Sequence, residues 1–122
     1  MAVSLDKLVC GMIRAKAVTM VTGSRFRDMA LSFAGAVEGG HFDVTDFRVK
    51  GRIFATWRDK DSRAVLKLAP DQQKLLMETS RTVFSPVDGS WGQKGWTKVA
   101  LDIADEATLH HAMKMAWSTL AR

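Results

Sequence analysis

This chain of 122 residues has one cysteine, Cys10, which therefore has no partner for an intramolecular disulfide. It has no Cys or His neighbour at metal-ligand spacing, so no metal site is expected, and a single thiol fits a reducing compartment. Long apolar runs are also missing. None approaches the roughly 20 residues that span a bilayer, and Lys7, Arg14 and Lys16 interrupt the N-terminal apolar stretch and spoil it as a signal peptide. The expectation is a cytoplasmic protein with no membrane partner. No internal repeat is visible. Catalytic signatures are absent too: no serine sits in a nucleophile elbow, HExxH does not occur, and no carboxylate pair stands out by spacing. The chain is expected not to be an enzyme and to carry no cofactor.

The residues present suit one globular domain. At 47% hydrophobic and 25% charged, the composition is ordinary for a folded protein, and a chain of this length buries roughly two-thirds of its unfolded surface. The net charge is +5 and the pI near 9.7. Basic side chains concentrate in residues 1–27, five against one acidic, and in residues 44–67, seven against three. A polyanion would suit this balance, because each neutralised phosphate releases condensed counterions. An ordinary solvated surface would suit it as well.

Periodicity sets the element order. In residues 1–22, Leu5, Leu8, Val9, Met12 and Ile13 recur at helical spacing and predict a short amphipathic helix. A helix is expected from the N-cap candidate Ser24 to Phe33 or Ala34, ended by Gly35, with Arg25 and Arg27 opposing its dipole. Strand patterns begin after Val37. Asp46–Lys50 and Arg52–Trp57 flank a tight Lys50-Gly51 turn, and Arg63–Leu68 alternates buried Ala64, Leu66 and Leu68 with the rest. Pro70–Met77 reads as a helix, Arg81–Phe84 and Trp96–Leu101 as strands, and a final helix capped by Asp105 carries Leu109, Ala112, Met113, Ala116, Trp117 and Leu120 on one stripe. This predicts an α+β domain over residues 23–122, in two layers. An antiparallel sheet of about five strands is covered by helices, in the order α-β(3)-α-β(2)-α, with residues 1–22 as an extra helical extension.

His110 and His111 are adjacent on the last helix, about 100° apart, which makes poor co-ligands; they read as solvated, and His41 as structural. Residues 84–99 are unusual in holding Pro86, three glycines and two tryptophans. Gly89–Gly95 lacks the Lys-Ser/Thr of a Walker loop. Gly92-Gln93-Lys94-Gly95 fits the GxxG clamp of KH domains but precedes a strand rather than joining helices. These residues mainly shape a connection between two strands.

Several segments together carry a resemblance: Ala30–Glu38, His41-Phe42, Asp46–Val49, Gly51–Ala55, Leu66–Leu68, Phe84–Val87, and the spaced set Pro86, Trp91, Gly92, Gly95 and Trp96. Over roughly residues 24–121 the chain resembles the MmcQ/YjbR family. The resemblance implies an α+β domain similar to CyaY and to the secretion-chaperone-like architecture, and a DNA-binding role through a double-wing motif. Family members usually have proline where this chain has Ala34, which leaves the first helix end less rigid.

On this reading the phosphate-contact candidates are Arg48, Lys50, Arg52, Arg58, Lys60, Lys94 and Lys98, and Trp91 is a stacking or wedge candidate. The alternative for Trp91 and Trp96 is that they pack the loop onto the last helix. The alternative for the protein is an interaction or chaperone-like module, a homodimer or the receptor of a partner chain, joined through residues 1–22 or the sheet face.

Overall fold

In a computed structural model, which describes residues 21–41 and 43–121 apart from the side chain of His41, the strands form one antiparallel six-stranded sheet. The expected helix of the N-terminal extension falls outside the described residues. In chain order the elements are α1 (Gly23–Leu31), β1 (Val37–His41), β2 (Val44–Val49), β3 (Arg52–Arg58), β4 (Arg63–Lys67), α2 (Pro70–Thr79), β5 (Phe84–Pro86), the single turn α3 (Ser90–Gln93), β6 (Trp96–Val99) and α4 (Glu106–Ala121). Across the sheet the order is β1-β2-β3-β4-β6-β5. The α+β class and two-layer arrangement agree with the sequence reading. The order does not: there is a strand more than expected, and a turn of helix inside the β5–β6 connection.

The extra strand, β1, has no alternation to betray it, because its centre is Gly39-Gly40. It is an edge strand defined by its pairing with β2. Gly39 is needed there, since a Cβ would stand 2.8 Å from the Asp46 carboxylate. Residues 81–83 form a turn rather than a strand, closed by Val83 and Phe84 N–H groups donating to the Ser80 carbonyl. Strand β5 begins only at Phe84 and ends on Pro86, which the sheet tolerates because β5 is its outer edge. Strand β6 is also shorter than expected, ending at Val99.

Thr22, not Ser24, caps α1: its Oγ1 accepts from the Arg25 N–H at 3.1 Å. The arginines that oppose the α1 dipole are held by carboxylates. Arg25 donates twice to Glu106, at 2.7 and 2.8 Å, and Arg27 pairs with Glu38 at 2.6 Å. Helix α1 stops at Leu31, earlier than read, and Gly35 follows at φ +76°. The Ala34 carbonyl accepts from the Trp117 indole N–H at 2.9 Å, which ties this turn to α4.

Helices α1 and α4 cover one face of the sheet. Between the layers lie Phe26, Phe47, Phe54, Leu66, Leu68, Phe84, Leu109 and Met113, all fully buried. Phe26 meets Phe47 edge-on at 6.0 Å, and Phe33 stacks on Trp117 at 5.5 Å. The β2–β3 register slips between Phe47 and Arg48, so that Ala55 and Ile53 are paired and Phe54 between them is not. This bulge turns the consecutive residues Phe54 and Ala55 both into the core. Asp105 caps α4 as read, accepting from the Thr108 N–H at 2.7 Å.

Candidate nucleic-acid interface

Alternation along the strands divides the sheet into two faces. Ala55 and Trp57 of β3, Ala64 and Leu66 of β4, and Thr97 and Val99 of β6 point toward the helices. The residues between them point away, and among the described residues no helix covers that side. Three cross-strand rows result. Arg58 lies opposite Arg63; Thr56, Val65, Lys98 and Ser85 align across four strands; Lys67 lies opposite Trp96.

At the Lys67–Trp96 end, two aromatic rings and two lysines converge. Trp91, on α3, meets Trp96 edge-on with ring centres 6.1 Å apart. The Lys94 Nζ stands 5.6 Å from the Trp91 ring centre and the Lys67 Nζ 6.0 Å from that of Trp96, both within cation–π range. Trp91 is 59% exposed. Lys67 also donates to the Lys94 carbonyl at 2.8 Å. Partial burial, with the nearby Lys94 charge second, pulls the Lys67 ammonium below the usual lysine range.

The connection that carries Trp91 and Lys94 is held rigidly. Gln73 of α2 donates to the Gly92 and Trp96 carbonyls and to Thr97 Oγ1. The Gly95 carbonyl accepts from the Leu68 N–H at 3.0 Å and from the Thr97 hydroxyl at 2.9 Å. A Cβ on Gly92 would overlap the Val87 carbonyl oxygen, and one on Gly95 that of Leu68. Gly92 and Gly95 therefore serve close backbone packing.

The sequence candidates are distributed unevenly over this frame. Lys50 and Arg52 are exposed at the tip of the β2–β3 hairpin, where Lys50 at φ +53° and Gly51 at φ +79° make the two-residue turn read from sequence. Antiparallel pairing puts that tip at the same end of the sheet as Lys67, Lys94 and Trp91. Lys60 is at the opposite end, in the turn after β3. Lys98 lies mid-face. Arg48 and Arg58 are on the open face but are engaged: Arg48 donates to the buried Asp46 at 2.9 Å, and Arg58 lies 3.5 Å from Asp43 and 3.8 Å from Asp61. Among the described residues, no carboxylate pairs with Arg63, Lys67, Lys94 or Lys98. The Arg63 Nε is shielded from solvent and has no hydrogen-bond partner among the described residues.

Arg63 and Lys67, which share this face, were not among the sequence candidates, and packing onto the last helix was the alternative reading for Trp91 and Trp96. The strand register puts Trp96 on the face opposite α4, so it does not fasten the loop to that helix, and Trp91 lies against Trp96. Arg63, Val65 and Lys67 were visible as the outward set of one strand. Their meeting with Trp96 and Lys98 depends on β6 pairing beside β4, which no local pattern reveals.

The sequence matches a known family. The YjbR family model matches residues 31–119. The chain belongs to the YjbR family. A solved structure of Deinococcus radiodurans protein DR2400, with a DUF419 domain, shares the fold at 20% identity and a TM-score of 0.67, covering 85% of this chain and 81% of that one. A search of curated proteins finds no match. Across the YjbR fold of this chain, no group of three His, Cys, Asp or Glu side chains fits a metal ion among the described residues. No helix among them is long and apolar enough to cross a membrane.

Proposed function

We propose that this YjbR-family protein is a non-catalytic, cytoplasmic DNA-binding protein that uses the open face of its sheet. The observation that carries the reading is a set of four cations, Arg63, Lys67, Lys94 and Lys98, that have no carboxylate partner among the described residues and stand on and beside a face that none of the described helices covers, with an exposed tryptophan at its end. Phosphates would be held by these four and by Lys50 and Arg52 at the hairpin tip. Trp91 would meet a base. Arg48 and Arg58 contribute less, because each is already neutralised within the protein.

Two further observations support the choice of face. A concavity of about 640 Å³ near Trp57 and Leu101 has Asp59, Asp61 and Asp102 in its lining, a charge that repels phosphates. Among the described residues, the exposed large apolar side chains Val37, Leu75, Trp91 and Ile103 fall on four different segments, so no described helix or strand presents an apolar stripe to a partner.

Fluorescence anisotropy with labelled DNA, titrated across a series of salt concentrations, tests the proposal. Six phosphate contacts predict that log K falls with log salt with a slope of about −4 to −5. Replacing Lys67, Lys94 and Lys98 together by glutamate is expected to abolish binding. Absence of binding at low salt, or binding that ignores salt, refutes it.

A further inference from the structure

Resting on that reading, we infer that the open face takes a single strand rather than a duplex, with bases stacked against Trp91 and Trp96. The shape of the charge is the first reason. Arg63 and Lys67 are four residues apart on β4, roughly 13 Å, and Lys98 lies on the adjacent strand about 5 Å away. Arg63, Lys67 and Lys98 therefore form a stripe one strand-spacing wide, which tracks one phosphate backbone, with Lys94 continuing it beyond Lys67. A duplex presents two, separated by grooves of about 6 and 12 Å.

The rings are the second reason. Inside a duplex the base faces are stacked on each other, and a protein reaches them only by driving a wedge into a kinked step. Trp91 is not built as a wedge. It lies in a one-turn helix against the sheet, edge-on to Trp96, in a connection pinned by Gln73 and by the Gly95 carbonyl contacts. An exposed aromatic held beside a sheet, with one lysine over its ring and others along the strands, instead receives unstacked bases whose phosphates meet those lysines.

The stripe and the rings lie in register. The Lys67–Trp96 row is at one end, Lys98 is two residues further along β6, and Arg63 is at the far end of β4. A strand of about four nucleotides covers this path, at the short end of known single-strand sites.

The test uses the full chain with oligothymidylate, oligouridylate of equal length and a duplex of mixed sequence, followed by anisotropy and intrinsic tryptophan fluorescence. The expected result is tighter binding of the single strands than of the duplex, with quenching. Trp91→Ala should weaken single-strand binding by about five- to one-hundredfold and remove part of the quench, and Trp91→Phe should restore most of the affinity. Because Trp91 is exposed, both variants are expected to fold, which circular dichroism checks. Equal affinity for the DNA and RNA oligomers is expected if stacking and phosphate contacts dominate, and a preference for one of them identifies the sugar as a further contact. Duplex bound as tightly as single strand, or an affinity indifferent to Trp91→Ala, overturns this inference while leaving DNA binding intact. Failure of all three probes to bind at low salt removes the proposed function itself.

Discussion

Replacing the three glycines of the β5–β6 connection one at a time separates two causes that sequence alone confounds. Gly89 has φ +77° and open space where a Cβ would go, so alanine there meets backbone strain alone. That strain is about 1–2 kcal/mol, offset by about 0.4–1 kcal/mol of lost freedom in the unfolded chain, leaving about 1 kcal/mol. Gly92 has no positive φ, but its Cβ would run into the Val87 carbonyl. Helix propensity by itself predicts that Gly92→Ala stabilises by about 1 kcal/mol; overlap predicts a net loss of about 1–2 kcal/mol. Gly95 combines φ +106° with an overlap on the Leu68 carbonyl, so Gly95→Ala should cost about 2–4 kcal/mol. With a urea slope of about 1–3 kcal/mol/M, the midpoint for Gly95→Ala falls by about 1–2 M. Urea unfolding followed by far-ultraviolet circular dichroism reads all three. A Gly92→Ala variant more stable than wild type, or Gly95→Ala indistinguishable from Gly89→Ala, would refute the packing argument.

Other consequences are equally direct. Trp117→Phe keeps the stacking on Phe33 but removes the indole N–H that Ala34 accepts, and should cost about 1 kcal/mol in thermal unfolding. Asp105→Ala removes the α4 cap at a cost of about 1 kcal/mol. The Thr108 N–H holds the Asp105 carboxyl below its ordinary range, so this contribution is present above the unfolded-state value and is lost as pH falls through the folded one. The stability gap between wild type and Asp105→Ala should therefore close in acid. Burial lowers the affinity of Lys67 for its proton, whereas a bound phosphate favours the charged form. Binding then takes up protons, so DNA affinity should fall as pH rises toward the lowered Lys67 value, and Lys67→Arg should flatten that decline; equal pH profiles for the two proteins would count against a Lys67 contact.

Much of the fold was legible because strong local signals agreed with tertiary demands. Alternation in Arg63–Leu68, the Lys50-Gly51 turn and the long apolar stripe of α4 each identify an element without reference to any other. Strand β1 was not legible as such, since Gly39 and Gly40 suppress alternation and the strand exists through its pairing with β2. The turn of helix at Ser90–Gln93 is too short to show a period. The candidate site was half legible. Lys94, Lys98 and Trp91 could be picked out as charged or aromatic residues in an unusual connection. Whether a cation is free depends on where the carboxylates fold. Asp46 is two residues from Arg48, and that ion pair discounts a residue whose sequence position looked as promising as Lys98. Arg63 and Lys67 gain their interest only from standing beside β6.

The most direct test of the central claim is chemical-shift mapping of the isotope-labelled chain during titration with a short DNA oligomer at low salt. The account predicts that perturbations gather on Arg63, Val65, Lys67, Trp96 and Lys98 and on the indole N–H groups of Trp91 and Trp96, while the outer surfaces of α1 and α4 stay unmoved. Perturbations centred on the Arg25–Glu106 side of the helical layer, or spread evenly over the surface, would contradict it.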